Sequence, residues 1–278
     1  MAGYTLRTSF HFAGSVRMYA VHWRQSAPPT FADVVLVHGM VVAGRGTRPL
    51  ADALAREGLT VHVPDLPGFG RSDKPRHALD VNGLAGHLAA WMTACGLGKL
   101  IVIGNSFGTQ VAAALATSYP AAVAGLVLLS PTIDPRLRRW VPLGALPTGC
   151  PGGSPATGIW AGMQRRLRDH LIPAGLPAKP ADLRSLITSE YAAAGPLRAL
   201  STYRYCLLDD IEDRTPNIRC PTIILRAQDD GLVSARWGRS LASRVPEGRY
   251  CEVPGADHDA QFKAPEAVAR ALMPVLRS

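Results

Sequence analysis

Aromatic residues make up only 6% of this 278-residue chain and charged residues only 18%, and lysine occurs at just four positions, Lys74, Lys99, Lys179 and Lys263. So little charge beside 47% apolar residues excludes a wholly disordered chain and predicts a sizeable core. The formal net charge is +9, yet 26 of the 30 basic residues are Arg in an Ala- and Gly-heavy sequence, and no basic run is interleaved with aromatics. No nucleic-acid partner is therefore expected. Cysteine is sparse and odd in number. Cys95, Cys150, Cys206, Cys220 and Cys251 are scattered without a C-x-x-C pair, which excludes a disulfide framework and favours free thiols in a reducing compartment. Long hydrophobic runs are missing too. The longest, around Val34 to Val42 and Ala121 to Leu129, fall well short of the roughly 20 residues a membrane span needs. Met1 to Phe10 carry no apolar run of the secretory type, so a soluble cytoplasmic protein with no membrane partner is expected. Internal repeats and low-complexity segments are absent as well.

What is present is an alternation of short apolar runs and helical patterns. Tyr4 to Phe12 and Val16 to Trp23 read as an antiparallel edge hairpin turning at Ala13-Gly14. Val34 to Val37, Thr60 to Val63, Leu100 to Ile103, Val123 to Leu129, Thr222 to Leu225 and Arg249 to Val253 read as strands, several apolar on both faces. Between them Arg48 to Glu57, Val81 to Cys95, Thr109 to Ser118, Ala235 to Arg244 and Pro265 to Leu276 have helical spacing. This order predicts a mostly parallel central sheet flanked by helices on both faces, an α/β fold. The alternation stops after Ser130. Residues 131 to 160 are rich in Pro and Gly, and Met163 to Tyr205 read as two or three helices with no strand between them. The predicted organisation is a core of residues 1–131 and 206–278, with a helical cap inserted at 132–205. Ten Lys or Arg against four Asp or Glu lie between Thr132 and Tyr205, a surplus of six positive charges. The ordinary reading of that surplus is a solvated surface; the functional one is a preference for an anionic substrate.

The chemistry centres on Gly104-Asn105-Ser106-Phe107-Gly108. This G-x-S-x-G follows an apolar strand and opens an Ala-rich helix, so Ser106 is expected on a sharp strand-to-helix turn that lifts its hydroxyl clear of the sheet. Gly104 and Gly108 supply room for the close approach. A serine hydroxyl is a weak nucleophile until a neutral imidazole takes its proton, and the imidazole needs a carboxylate to fix its tautomer. Both types stand after later strands: Asp229 and Asp230, then His258 in Gly255-Ala256-Asp257-His258. Ser, Asp, His is one of the known chain orders for nucleophile, orienter and base. The oxyanion would be held by the backbone N–H groups of Phe107 and of Met40, on the loop after His38-Gly39. The remaining histidines, His11, His22, His62, His77, His87 and His170, show no metal-ligand spacing, and no metal or cofactor is expected.

With these residues in place the chain resembles the α/β-hydrolase superfamily over nearly its whole length. His38-Gly39 is similar to the family's oxyanion loop, Asp65-Leu66-Pro67-Gly68-Phe69-Gly70-Arg71-Ser72 to its Pro-Gly-rich loop, and Gly104 to Gly108 to its nucleophile elbow. Asp230-Gly231-Leu232-Val233 is similar to the acid loop and Pro254 to His258 to the histidine loop. The resemblance implies Ser106 as nucleophile, His258 as base and Asp230 as acid, under a helical lid. Asp230 is preferred to Asp229 because the family's acid usually stands three residues before an apolar residue, here Val233; Asp134 is an outside alternative. His38 is expected to brace the oxyanion loop, and lid aromatics Trp140, Trp160 and Tyr191 could line a pocket. Epoxide hydrolases and haloalkane dehalogenases of this fold carry Asp at the elbow, which Ser106 argues against. The expected reaction is cleavage of a small to medium carboxylic ester or thioester through an acyl-serine. One alternative is a C–C hydrolase of the meta-cleavage-product type, suggested by Asn105 and by His258 to Phe262. Asp259 in place of that group's Trp, and Met40-Val41-Val42 in place of its Gly-Pro-rich loop, speak against it. The other alternative is a non-hydrolytic binding or cyclisation protein on the same scaffold.

Overall fold

The computed structural model describes residues 3–26, 31–40, 42–132, 134–135 and 183–276. Strands β1 (Tyr4–Ala13), β2 (Val16–Gln25), β3 (Val34–Val37), β4 (Val61–Pro64), β5 (Leu100–Asn105), β6 (Val123–Leu129), β7 (Thr222–Ala227) and β8 (Gly248–Val253) form one sheet. Their spatial order is β1-β2-β4-β3-β5-β6-β7-β8. β1 and β2 pair antiparallel, β2 also pairs antiparallel with β4, and all later pairings are parallel. The interior strands β3 and β5 are buried at every position, which is why their sequences are continuous apolar runs rather than alternating ones.

Helices cover both faces. On one lie α2 (Val81–Ala94) and α3 (Gly108–Ser118), whose Leu88, Trp91 and Val111 join Val35, Val37 and Val102 of the sheet in one apolar cluster. On the other, Leu50 and Leu54 of α1 (Arg48–Arg56) pack with Val34, Leu36 and Ile103. Each large apolar side chain buried this way contributes about 1.5–3 kcal/mol. Local signals set the helix starts: the Asp80 carboxylate accepts from Gly83 N–H at 2.7 Å at the head of α2.

Two further helices, α4 (Leu183–Ala194) and α5 (Pro196–Leu208), follow with no strand between them. α5 runs to Leu208 and so crosses the expected boundary between residues 205 and 206. Side chains of Arg45, Arg198 and Gln110 fasten this pair to the loops and helix beside the sheet. Arg45 Nη1 reaches Glu190 Oε1 at 3.3 Å, Arg198 donates to Pro75 O at 2.5 Å and to His77 O at 3.4 Å, and Gln110 Nε2 donates to Cys206 O at 2.8 Å. Trp140, Trp160, His170, Lys179 and Cys150 lie outside the described residues. The chain closes with α6 (Ala235–Ala242) and α7 (Pro265–Leu276), the latter packed on α1.

Beneath the N-terminal hairpin runs a row of four polar side chains. Ser9 Oγ lies 2.7 Å from His22 Nε2, His22 Nδ1 lies 2.8 Å from His62 Nδ1, and His62 Nε2 lies 3.0 Å from Asp33 Oδ2. When both rings are neutral, the row runs one way: His62 donates to Asp33, His22 to His62, and Ser9 to His22. Burial, followed by the charges of His62, Arg24 and His11, pushes the His22 imidazolium down to about 3.

Candidate active site

The site gathers at the carboxyl ends of β5, β7 and β8, where an open parallel sheet presents its loops. β5 continues two residues past the apolar run, because Gly104 and Asn105 still pair with Leu128 and Leu129 of β6. The chain then turns sharply. Ser106 has φ +52°, a left-handed conformation that L side chains rarely adopt, and its N–H is anchored to Leu129 O at 2.9 Å. A Cβ on Gly104 would stand 2.4 Å from Gly108 O, and one on Gly108 would stand 2.4 Å from Val37 O. The helix begins at once: Thr109 N–H returns to Ser106 O and Gln110 N–H to Phe107 O. The Phe107 and Gly108 N–H groups precede those bonds, at the positive end of the α3 dipole.

His258 stands in the loop after β8, with Nε2 3.1 Å from Ser106 Oγ and Nδ1 2.9 Å from Asp230 Oδ2. Burial acts to raise the Asp230 pKa, but the hydrogen bond and charge of His258 and the Val233 N–H outweigh it. The carboxyl is held below its ordinary value. It therefore accepts Nδ1–H and leaves Nε2 free to accept from the Ser106 hydroxyl. Asp230 is itself fixed by its turn, Oδ1 accepting from Leu232 N–H at 2.8 Å and Val233 N–H at 2.9 Å. Asp229 is exposed, and its N–H bonds to Ala256 O at 2.8 Å. Of Asp229, Asp230 and Asp134, it is Asp230 that meets the imidazole.

The loop after β3 lies against the serine, a Cβ on Gly39 falling 3.3 Å from Ser106 Cβ. Met40 follows, half-buried against the core. His38 braces this loop: Nδ1–H donates to Gly39 O at 2.8 Å and Nε2 accepts from Leu66 N–H at 3.0 Å. Complete burial keeps that ring neutral by lowering its pKa. The loop's far end is held by Asp65, which accepts from Gly44 N–H at 2.7 Å and Arg71 N–H at 2.8 Å. Asn105 Nδ2 donates to Gln261 Oε1 at 3.3 Å, joining the elbow to the turn after His258. Tyr191, one of the three aromatics read as possible pocket lining, is solvent-exposed. Arg198, one of the surplus arginines, is used by Pro75 and His77 carbonyls rather than turned toward Ser106.

Sequence reasoning misses Arg226. The residue is 9% exposed, and its guanidinium donates to three carbonyls of the acid loop: Val233 O at 2.5 Å, Gln228 O at 2.8 Å and Asp230 O at 3.0 Å. The available signal is a charge inside an otherwise apolar, buried strand, which has to find partners. Among the described residues no three His, Cys, Asp or Glu side chains are grouped as a metal site, and Cys95, Cys206, Cys220 and Cys251 form no disulfide. No described helix is long and apolar enough to cross a membrane.

The sequence profile of the alpha/beta hydrolase family matches residues 34–271, most of the chain. The chain belongs to that family. Across 251 residues, 87% of its length, it is 28% identical to a polyketide synthase, ThaQ, from Burkholderia thailandensis, of which it spans only 12%. It is 26% identical over 249 residues to 2-(acetamidomethylene)succinate hydrolase from Mesorhizobium japonicum, covering 86% of each chain. Among solved structures, a thermophilic esterase from Thermogutta terrifontis superposes with a TM-score of 0.69 over 98% of both chains at 22% identity, a likeness of fold. The relative from Mesorhizobium japonicum, matched over 86% of its own length, is by its name a hydrolase.

Proposed function

We propose that the chain is a serine hydrolase that cleaves a small to medium carboxylic ester or thioester through an acyl-Ser106 intermediate. In this reading residues 132–205 act as a cap over the site and the protein works in the cytoplasm. The observation that carries the proposal is the unbroken row Ser106 Oγ, His258 ring, Asp230 carboxylate, with separations of 3.1 and 2.9 Å.

Ser106 Oγ attacks the carbonyl carbon while its proton passes to His258 Nε2, and Asp230 stabilises the imidazolium that forms. The negative charge on the former carbonyl oxygen is met by the N–H groups of Phe107 and Met40, each such donor being worth about a hundredfold to a thousandfold in turnover. Collapse breaks the bond to the leaving oxygen or sulfur, which takes the proton from Nε2. Water then attacks the acyl-serine, giving its proton to Nε2 and hydroxide to the carbonyl carbon. The second collapse returns the proton to Ser106 Oγ and frees a carboxylic acid. No metal or cofactor enters these steps.

The substrate of one relative, by its name, is a succinate derivative, and the 132–205 segment carries six surplus positive charges. Both support including carboxylate-bearing acyl groups among the substrates tried. A fluorophosphonate should label Ser106 in the folded protein, and graded p-nitrophenyl esters and acyl-thioesters should be turned over. Absence of labelling together with absence of turnover across the series would reject the proposal.

A further inference from the structure

Resting on the serine-hydrolase reading, we infer that Arg226 is the positioning residue for Asp230. Three carbonyls of the 228–233 loop point inward at one guanidinium, and that loop has no helix or strand to satisfy them. A planar fork with fixed N–H directions can hold three carbonyl oxygens at once, which a lysine ammonium, a point donor on a flexible stem, does less well. Arg226 and the backbone therefore clasp the loop from both sides. The guanidinium holds its carbonyls, and the Leu232 and Val233 N–H groups hold Asp230 Oδ1, leaving Oδ2 aimed at His258.

The clasp is itself fixed by the sheet. Arg226 stands directly opposite Glu252 in the β7–β8 register, with Nη1 3.7 Å from Glu252 Oε1. Glu252 is in turn held by the Tyr250 hydroxyl at 2.5 Å and lies 4.0 Å from Arg239 Nη2. The buried cation thus has a partner, and its position follows from strand pairing rather than from loop conformation. Arg226 touches neither Ser106 nor the imidazole in the described contacts, so its influence on chemistry passes through Asp230 alone.

The test compares wild type, Arg226→Gln and Arg226→Lys, with two readouts. The first needs no substrate: the downfield ring N–H proton resonance of His258, the signature of its hydrogen bond to Asp230. It should be present in wild type, lost or shifted upfield in Arg226→Gln and partly restored in Arg226→Lys. The second is kinetic. Arg226→Gln should lower kcat about tenfold to a hundredfold with KM changed less than about twofold, since a loop misplaced by an ångström costs roughly that much. Active sites are counted by fluorophosphonate titration, so a smaller folded fraction is not mistaken for a slower enzyme. An unaltered resonance and unaltered kcat per active site in Arg226→Gln would overturn the inference. Should Arg226→Gln not fold, Arg226→Lys and Glu252→Gln decide on the same two readouts. A wild type that neither labels nor turns over substrate rejects the hydrolase reading, while the resonance still decides whether Arg226 positions Asp230.

Discussion

Gly104 and Gly108 face each other across the elbow at a separation that leaves no room for a methyl group: a Cβ on Gly104 would stand 2.4 Å from the Gly108 carbonyl oxygen and 2.8 Å from Thr109 Cα. Both are backbone atoms of the first helical turn, so relief requires strand and helix to part. Gly104→Ala is expected to destabilise the protein by about 3 kcal/mol or more, or to prevent soluble expression. Gly98→Ala, where an added Cβ meets nothing within 4 Å, should stay within about 0.5 kcal/mol. Urea midpoints at constant m-value distinguish the two.

Ser106→Ala removes the atom that lies 3.1 Å from His258 Nε2. Turnover of a p-nitrophenyl ester should fall by about 10⁴-fold or more and fluorophosphonate labelling should vanish, with the melting temperature within a few degrees of wild type. Asp230→Asn should leave the serine in place but lower kcat by about 10³ to 10⁴, because an amide can no longer fix the imidazole tautomer.

Glu190 ties α4 to Arg45 while itself only 4% exposed. Burial, then the nearby Asp65 charge, pushes its carboxyl up to about 7 against the partial compensation of Arg45. Between pH 4.5 and 7 the folded protein therefore holds a proton that the unfolded chain has lost, so stability falls as pH rises through that window. Glu190→Gln should raise stability at pH 8 by on the order of 2 kcal/mol and give no gain at pH 4.5. Thermal melts of both proteins at the two pH values test this; equal differences at both would refute it.

His22 gives the opposite slope. Its folded-state value near 3 lies below the ordinary 6.5, so on acidification the unfolded chain takes up a proton that the folded protein refuses. Stability should fall as pH drops from 6.5 toward 3, by roughly 2 kcal/mol between pH 6.5 and 5. His22→Leu, which also breaks the Ser9 and His62 contacts, should be less stable at pH 7 but lose less on going to pH 5. Denaturant unfolding at the two pH values measures the change in slope.

Much of the architecture is legible in the sequence because it rests on local signals. The bounds of β3, β6 and α7 fall where the apolar runs and the helical spacing place them. Departures arise where pairing overrides composition. β5 extends into glycine and asparagine because β6 offers partners there, and the hairpin turns at Gly14-Ser15, not Ala13-Gly14, because Ala13 still pairs with Val16. The single turn Ile211–Arg214 is too short to show periodicity. At the site, chain order suggests which residue types meet. Which of two adjacent aspartates faces the imidazole depends on a turn whose two N–H groups hold Asp230 Oδ1, and spacing alone does not reveal that. The Arg226–Glu252 and His22–His62 pairings are invisible in the sequence for a related reason: each depends on strand register, across β7 and β8 in one case and β2 and β4 in the other.

The spatial order of the sheet sets how such an enzyme would fail on warming. The serine's strand is hemmed in by neighbours on both sides, whereas the imidazole follows the outermost strand at the opposite rim from the hairpin. Fraying that starts at an unprotected rim releases the least-supported segment first. Catalysis would then go quiet several degrees before the bulk of the fold melts, and cooling would bring it back.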